Sequence, residues 1–410
     1  MSGKFVIIGA GLAGGGAAAT LREEGFDGRV VLIGAERQPP YERPPLSKEY
    51  LRGESSFERA LVQPPGFYDE NGIETRFGVR VTRVDAAGKV VELDDGERVA
   101  YDRLLVATGA RTRRFPVPGL DLEGIYSLRT VADSDRIRAE TLPGRKAVVV
   151  GMGFIGSEVA ASLRRSGVDV VVVDRNEVPL RRVLGEEVGR VIAGIHREHG
   201  VSMIFEDTVA AFEGAGRVER VSTARGRRIE CDFVVVSLGV EPVTDLLADT
   251  GAGIDNGVVV DEYLRTGVEG IYAAGDVANH YHPVFERRIR VEHWQNALEQ
   301  GPAAARNMLD RDEPYDEIPW FWSDQYEHNL QYAGFHTEWD ELVVRGSMDE
   351  RNFVAFYRKD RRVLAAVAVN RGRDLRRTMA LIKSQEPVDA AGLCDLDADL
   401  RKLASVAGTT

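Results

Sequence analysis

Cysteine is almost missing from this chain of 410 residues, which has only Cys231 and Cys394. No Cys-x-x-C occurs, so zinc-ribbon folds and a dithiol redox centre are both excluded. Thiol usage this low suits a reducing cytoplasm. Positive charge is also short: 53 Lys and Arg face 65 Asp and Glu, for a formal net charge of −12. That balance argues against a general binder of nucleic acid or anionic membranes, while leaving room for a local basic patch. Long apolar runs are missing as well. The stretch from Phe5 to Leu21 comes nearest, but a single lysine precedes it and no small-residue cleavage site closes it. A removable signal or a membrane span fits poorly, and a buried strand entering a helix fits well. A cytoplasmic protein without nucleic-acid or membrane partners is expected.

What is present is a globular composition, 43% hydrophobic and 29% charged, over a length that suggests about two to four domains. Lys4 to Ile8 is an apolar run of the kind a parallel strand buried on both faces requires. Glycines follow, then an Ala-rich helical segment from Gly15 to Glu24 and a second strand from Arg29 to Ile33. The same order returns about 140 residues later with a strand at Ala147 to Val150, a helix at Gly156 to Ser166 and a strand at Val168 to Val173. Two βαβ units imply two nucleotide-binding domains. Lys89 to Leu93 and Val218 to Thr223 resemble antiparallel flaps, and Glu230 to Ser237 a further strand that includes Cys231. From about Pro319 the pattern changes to four or five strands, among them Leu330 to Phe335, Glu341 to Gly346, Phe353 to Arg358 and Val363 to Val369. Helices are expected at Asp374 to Ser384 and Leu396 to Val406.

Gly9-Ala-Gly11-Leu-Ala-Gly14 is a G-x-G-x-x-G placed between strand and helix. The first glycine permits the tight turn, the second lets backbone approach a pyrophosphate, and the third lets helix and strand pack closely. Free amides and the helix dipole then favour phosphate. Glu36, 22 residues after Gly14, stands near the end of the second strand, where an acid can meet a ribose. Gly151-Met-Gly153-Phe-Ile-Gly156 repeats the arrangement with Asp174 in that place and Arg175 beside it. Asp174 favours NADH by repelling the extra phosphate of NADPH, whereas Arg175 could bind that phosphate.

These residues carry a resemblance over nearly the whole chain. The first glycine motif, Arg43-Pro-Pro-Leu-Ser-Lys48, Ala107-Thr-Gly109, the second motif with Glu158, and Tyr272-Ala-Ala-Gly-Asp276 resemble the two-dinucleotide flavoprotein reductases. Pro319-Trp-Phe-Trp-Ser-Asp-Gln325 and Asn296-Ala-Leu-Glu-Gln300 are similar to segments of the bacterial NADH-dependent ferredoxin reductases of oxygenase systems, of the putidaredoxin, rubredoxin and biphenyl-dioxygenase types. The resemblance implies an α/β fold with two Rossmann-like, glutathione-reductase-like domains and a C-terminal α+β domain. An FAD domain would occupy 1–112 and 244–318, an NAD(H) domain 113–243, and an interface or docking domain 319–410. FAD would be held by Gly9, Gly11, Ala13, Gly14, Glu36, Arg43, Lys48, Val81, Ala107, Arg129, Asp276 and Trp294, with the helix near Asn296 directed at the flavin pyrimidine. The family acid directly follows the glycine of the second strand, a place taken here by Ala35. NAD(H) would meet Gly151, Gly153, Ile155, Gly156, Glu158, Asp174, Arg182 and Gly239. Lys48, kept aligned by Glu158, would place a cation near flavin N5, and Trp322 would lie at the flavin edge.

The expected activity is hydride transfer from NADH to FAD and single-electron delivery to an acidic two-iron, two-sulfur ferredoxin or a rubredoxin, which would feed a cytochrome monooxygenase or a ring-hydroxylating dioxygenase. A monomer or weak dimer is expected. Two rivals stand beside it: an NADH-responsive interaction protein like apoptosis-inducing factor, and a reductase of small quinones or radicals. Both cysteines are expected to be inert. One of Trp320 and Trp322 is expected to be an ordinary core aromatic. His196 with His199, and His280 with His282, lack a third ligand and are expected to be solvated faces rather than a metal site. From Arg358 to Lys383 nine Lys or Arg accompany two Asp. That run, which includes Arg361, Arg362, Arg371, Arg373, Arg376 and Arg377, is either a solvated face or a docking patch for an acidic protein.

Overall fold

Valine and isoleucine on both faces make Lys4–Ile8 the middle strand of a five-stranded parallel sheet. Its neighbours run in the order Ile271–Ala273, Arg103–Val106, Lys4–Ile8, Arg29–Gly34 and Ile73–Phe77. The computed structural model describes residues 3–113 and 115–403, which fall into two compact units. This sheet organises the first, composed of Met1–Glu42, Phe57–Arg111 and Val240–Pro319. Helices Leu12–Glu23 and Trp294–Met308 pack against each other through small residues, and an antiparallel flap begins at Val81–Asp85. One apolar core joins sheet, helices and flap.

The second unit comprises Arg43–Ser56, Thr112–Gly239 and Trp320–Thr410. Its parallel sheet has the order Ser202–Ile204, Asp169–Val173, Lys146–Val150, Phe233–Val236 and Ile125–Ser127. Its C-terminal part is a five-stranded antiparallel sheet ordered Trp320–Gln325, His328–Gly334, Arg362–Val369, Asn352–Lys359 and Glu341–Ser347. Alternation decides what each face covers. Phe353, Ala355 and Tyr357 pack with Leu184, Val188 and Ile192 of the helix Arg181–Glu198. The helix Gly372–Ser384 lies against the strands Arg362–Val369 and His328–Gly334.

Beyond that helix the chain has little regular structure of its own, and two buried arginines hold it. Arg345 donates to the carbonyl oxygens of Leu393 (3.4 Å), Leu396 (2.9 Å) and Ala398 (3.0 Å), and also to that of Asp395. Arg358 donates to the Val388 carbonyl at 2.5 Å and pairs with Glu341. A guanidinium suits this task because it presents several donors in a rigid plane. The helix expected at Leu396 to Val406 is reduced to Leu400–Leu403 within the described residues, and 404–406 lie outside them. A short helix, Ala390–Cys394, precedes it. Cys231 is not in a strand: Arg228–Glu230 and Phe233–Val236 belong to different sheets, and Cys231 sits in the turn between them. No helix among the described residues is long and apolar enough to cross a membrane.

Candidate functional site

In the first unit the glycine loop is shaped by close backbone approaches. Gly9 has φ +111° and faces the Ala107 carbonyl, where a Cβ would lie 2.1 Å from the oxygen. At Gly14 a Cβ would meet the Gly9 carbonyl oxygen at 1.9 Å. Gly11 differs, because a Cβ there would meet nothing within 4 Å. It caps the helix Leu12–Glu23 with no side-chain acceptor, leaving the first-turn amides free. A pyrophosphate fits that combination of open space and unsatisfied donors. Ala13 lies under Gly275 and Gly301, both too close for larger residues on the facing side. Asp276 follows Gly275 in a short 3-10 turn, and the Gly275 amide donates to Gln300 Oε1 at 2.9 Å. Trp294 opens the helix Trp294–Met308. Glu36 accepts from Tyr41 at 2.6 Å, and Val81 is buried in the core of the unit.

The second loop repeats the design. Gly151 has φ +92°, a Cβ at Gly156 would lie 2.1 Å from the Gly151 carbonyl oxygen, and Gly153 opens onto empty space. Gly153 caps Phe154–Arg165 without a side-chain acceptor. Asp174 is buried and accepts from the amide of Met152 at 2.6 Å and that of Asn176 at 2.7 Å. The acid at the strand end therefore also holds the glycine loop. Ile155 projects from the first turn of the helix and is 44% exposed. Arg182 and Gly239 are exposed, the latter with φ +86°. A second dinucleotide fits this loop by the same test.

Pro44–Ser47 forms a 3-10 turn that ends at Lys48. The Lys48 ammonium meets Glu158 at 2.8 Å, and both side chains are almost wholly buried. Glu158 is also the acceptor of Ser47 at 2.5 Å and Ser323 at 2.7 Å. Every charge is matched, as burial demands. Arg43 donates to the Arg129 carbonyl oxygen at 2.5 Å, so these two residues also come together. The sites assigned from sequence thus divide. Gly9, Gly11, Ala13, Gly14, Glu36, Val81, Ala107, Asp276 and Trp294 belong to the first unit, whereas Arg43, Lys48, Arg129 and the NAD(H) set belong to the second.

A model of pyridine nucleotide-disulphide oxidoreductases matches residues 3–301, and one of the reductase C-terminal domain matches 320–404. The chain belongs to the pyridine nucleotide-disulphide oxidoreductases. Within the family it is 40% identical to rhodocoxin reductase of Rhodococcus erythropolis, over 97% of this chain and 93% of that protein. It is also 40% identical to the ferredoxin–NAD(+) reductase component of the anthranilate 1,2-dioxygenase system of Burkholderia cepacia, over 95% and 97%. The covalent putidaredoxin reductase–putidaredoxin complex contains a chain of the same fold, with TM-score 0.95 and 34% identity over 100% of this chain and 99% of that one. The family implies FAD and NAD(H), which the two loops accommodate.

The family name mentions a disulphide, yet both cysteines here are free, and burial pushes the Cys231 thiol up to about 12, with Asp232 and Glu230 adding to it. The expected solvated histidines are a correction. His196, His280 and His282 are fully buried, because apolar neighbours cover the elements that carry them. His196 continues the stripe Leu184, Val188, Ile192 at a spacing of four, the signal that would have found it. No group of three metal-ligating side chains occurs among the described residues. Neither Trp320 nor Trp322 is a core aromatic: they share one strand face, half-buried and stacked 5.6 Å apart, while Phe321 takes the core position. The basic run also changes. Arg358 is buried on Glu341, Lys359 pairs with Glu338, and Arg371 and Arg377 meet Asp374 at 3.0 and 3.7 Å. Exposed Arg361, Arg362, Arg373 and Arg376 remain.

Proposed function

We propose that this chain is an FAD-dependent NADH:ferredoxin oxidoreductase of an oxygenase system. One NADH, giving up a hydride, yields NAD+, a proton and two electrons for two molecules of a two-iron, two-sulfur ferredoxin. The observation that carries the reading is the pair of glycine loops, each with open space at its second glycine and free helix amides behind it. Two dinucleotides in one chain without a dithiol leave the flavin itself to pass electrons on directly. Relatives named as reductases of rhodocoxin and of ferredoxin support it.

When bound, FAD supplies the conversion from a two-electron donor to a one-electron acceptor. The protein's part is placement and electrostatics. Gly9, Gly11 and Gly14 receive one pyrophosphate, with residues 1–112 and 244–318 as the FAD domain. Gly151, Gly153 and Gly156 receive the other, within 113–243, and Asp174 meets the adenosine ribose of NADH. Lys48, held by Glu158, keeps a positive charge where negative charge develops on reduction. Residues 319–410 present the face for an acidic ferredoxin. The protein acts in the cytoplasm as a monomer or weak dimer.

The test is NADH-driven reduction of cytochrome c with and without a ferredoxin from the same source. A rate that depends on ferredoxin supports the reading. Equal rates with and without it would leave a reductase of small acceptors.

A further inference from the structure

Glu158 ends a line of hydrogen bonds that neither the glycine loop nor the lysine turn requires. Ser323 donates to Glu158 Oε1 at 2.7 Å, and Gln325 Nε2 lies 3.1 Å from Ser323 Oγ. His196 Nε2 lies 3.0 Å from Gln325 Oε1, and the Tyr326 hydroxyl lies 3.3 Å from His196 Nδ1. Every member from Glu158 to His196 is buried. We propose that Ser323, Gln325 and His196 are positioning residues, a chain of donors that fixes the Glu158 carboxylate and through it the Lys48 ammonium. The proposal deepens the reductase reading and rests on it.

The direction of the chain follows from its end. A carboxylate paired with a lysine only accepts, so the Ser323 proton points to Glu158. Ser323 Oγ must then accept from the Gln325 amide, which leaves Gln325 Oε1 facing His196. His196 therefore carries its proton on Nε2, and its bare Nδ1 takes the Tyr326 hydroxyl proton. All donors face one way, and aligned bonds in a low-dielectric interior polarise and strengthen one another. Burial holds the imidazole down at about 4, although the bond to Gln325 opposes it, so His196 stays neutral near pH 7. Alternation supplies the geometry. Ser323 and Gln325 are two residues apart on one strand and share its inner face with Phe321. Phe321 meets Phe154 edge to face at 4.6 Å, on the helix that bears Glu158.

A purely structural chain would add stability and nothing else. A positioning chain also sets the field around Lys48, so the FAD-loaded protein distinguishes the two. Three quantities are read for Ser323→Ala, His196→Leu and their double variant: the single-turnover rate of reduction by NADH, the midpoint potential of the bound flavin, and the thermal midpoint. Losing one relayed hydrogen bond should slow reduction about 3- to 10-fold. It should also move the potential in the direction that Lys48→Met moves it. The double variant should be no worse than Ser323→Ala, since the serine is the only link named between His196 and Glu158, and Ser323→Thr should restore wild-type behaviour. Where His196→Leu does not fold, Gln325→Met cuts the same chain and takes its place in the cycle. A lowered thermal midpoint with rate and potential unmoved overturns the proposal, as do two effects that simply multiply. Failure of the underlying reading looks different: the wild-type protein itself would not be reduced by NADH.

Discussion

Acidification should weaken each unit by a calculable amount. His196 and His280 are fully buried, and burial is the main reason their imidazoles titrate at about 4 and about 3. An unfolded histidine titrates near about 6.5. Below that value the unfolded chain binds a proton that the folded protein refuses, so stability is complete above it and falls as pH drops toward the folded value. At pH 5 the gap is about 1.5 units, worth about 2 kcal/mol for each residue at about 1.4 kcal/mol per unit. His280 lies in the first unit and His196 in the second. A loss of about 2 kcal/mol lowers the melting temperature of a domain of this size by roughly 4–8 °C. His196→Gln removes the titrating group while keeping an amide donor for Gln325. Calorimetry on wild type and variant at pH 7.5 and pH 5.0 isolates it, because the other acidic and basic groups are common to both. The variant should lose about 2 kcal/mol less than wild type. Equal losses would show that His196 carries a proton in the folded state at pH 5 and would refute the reasoning.

The glycines of each loop should separate under substitution. Gly11→Ala and Gly153→Ala meet open space, so the protein should fold with its normal melting behaviour before cofactor is added yet lose FAD in the first case and NADH affinity in the second, read by absorbance and by titration. Gly9→Ala and Gly156→Ala drive a Cβ to 2.1 Å from a carbonyl oxygen and should instead lower soluble yield. Lys48→Met should slow reduction by NADH and lower the flavin potential, measured by stopped flow and redox titration; unchanged values would make Lys48 a structural charge. Steady-state kinetics should favour NADH over NADPH through Asp174, and equal specificity constants would mean that Arg175 prevails. Arg373→Glu with Arg376→Glu should cut ferredoxin turnover and its salt dependence while sparing ferricyanide. Parallel loss with both acceptors would place the docking face elsewhere.

Local patterns were legible wherever a period and a turn agree. The strand Lys4–Ile8 and the repeat at Lys146–Val150 announce themselves as apolar runs followed by glycines. Helix starts were expected three residues late at Gly15 and two late at Gly156, whereas Leu12 and Phe154 already begin the helices. The first-turn amides must be helical to face a phosphate, which the glycine content conceals. Contacts distant in sequence were the illegible part. Ser323 and Glu158 are 165 residues apart, and no spacing rule joins a strand residue to a helix residue at that separation. His196 reads as part of a solvated face because, with His199 at helical spacing, it lacks a third metal ligand. Its own position was set by the stripe four, eight and twelve residues before it. The basic run likewise includes a residue that leaves the surface, since charge in a sequence does not reveal that Arg358 points inward.

Arg345 grips the C-terminal segment through main-chain oxygens alone, at Leu393, Asp395, Leu396 and Ala398. Carbonyl oxygens are common to all twenty amino acids, so the anchor is indifferent to which side chains the segment carries. Mutational drift across 394–397, which are exposed, can therefore recompose an outer surface without loosening its attachment, while buried Leu393 stays in the core. The burden falls on one residue instead: a lysine at 345 could not span several oxygens with a single ammonium. Divergence in this region should be tolerant along the tail and intolerant at the arginine.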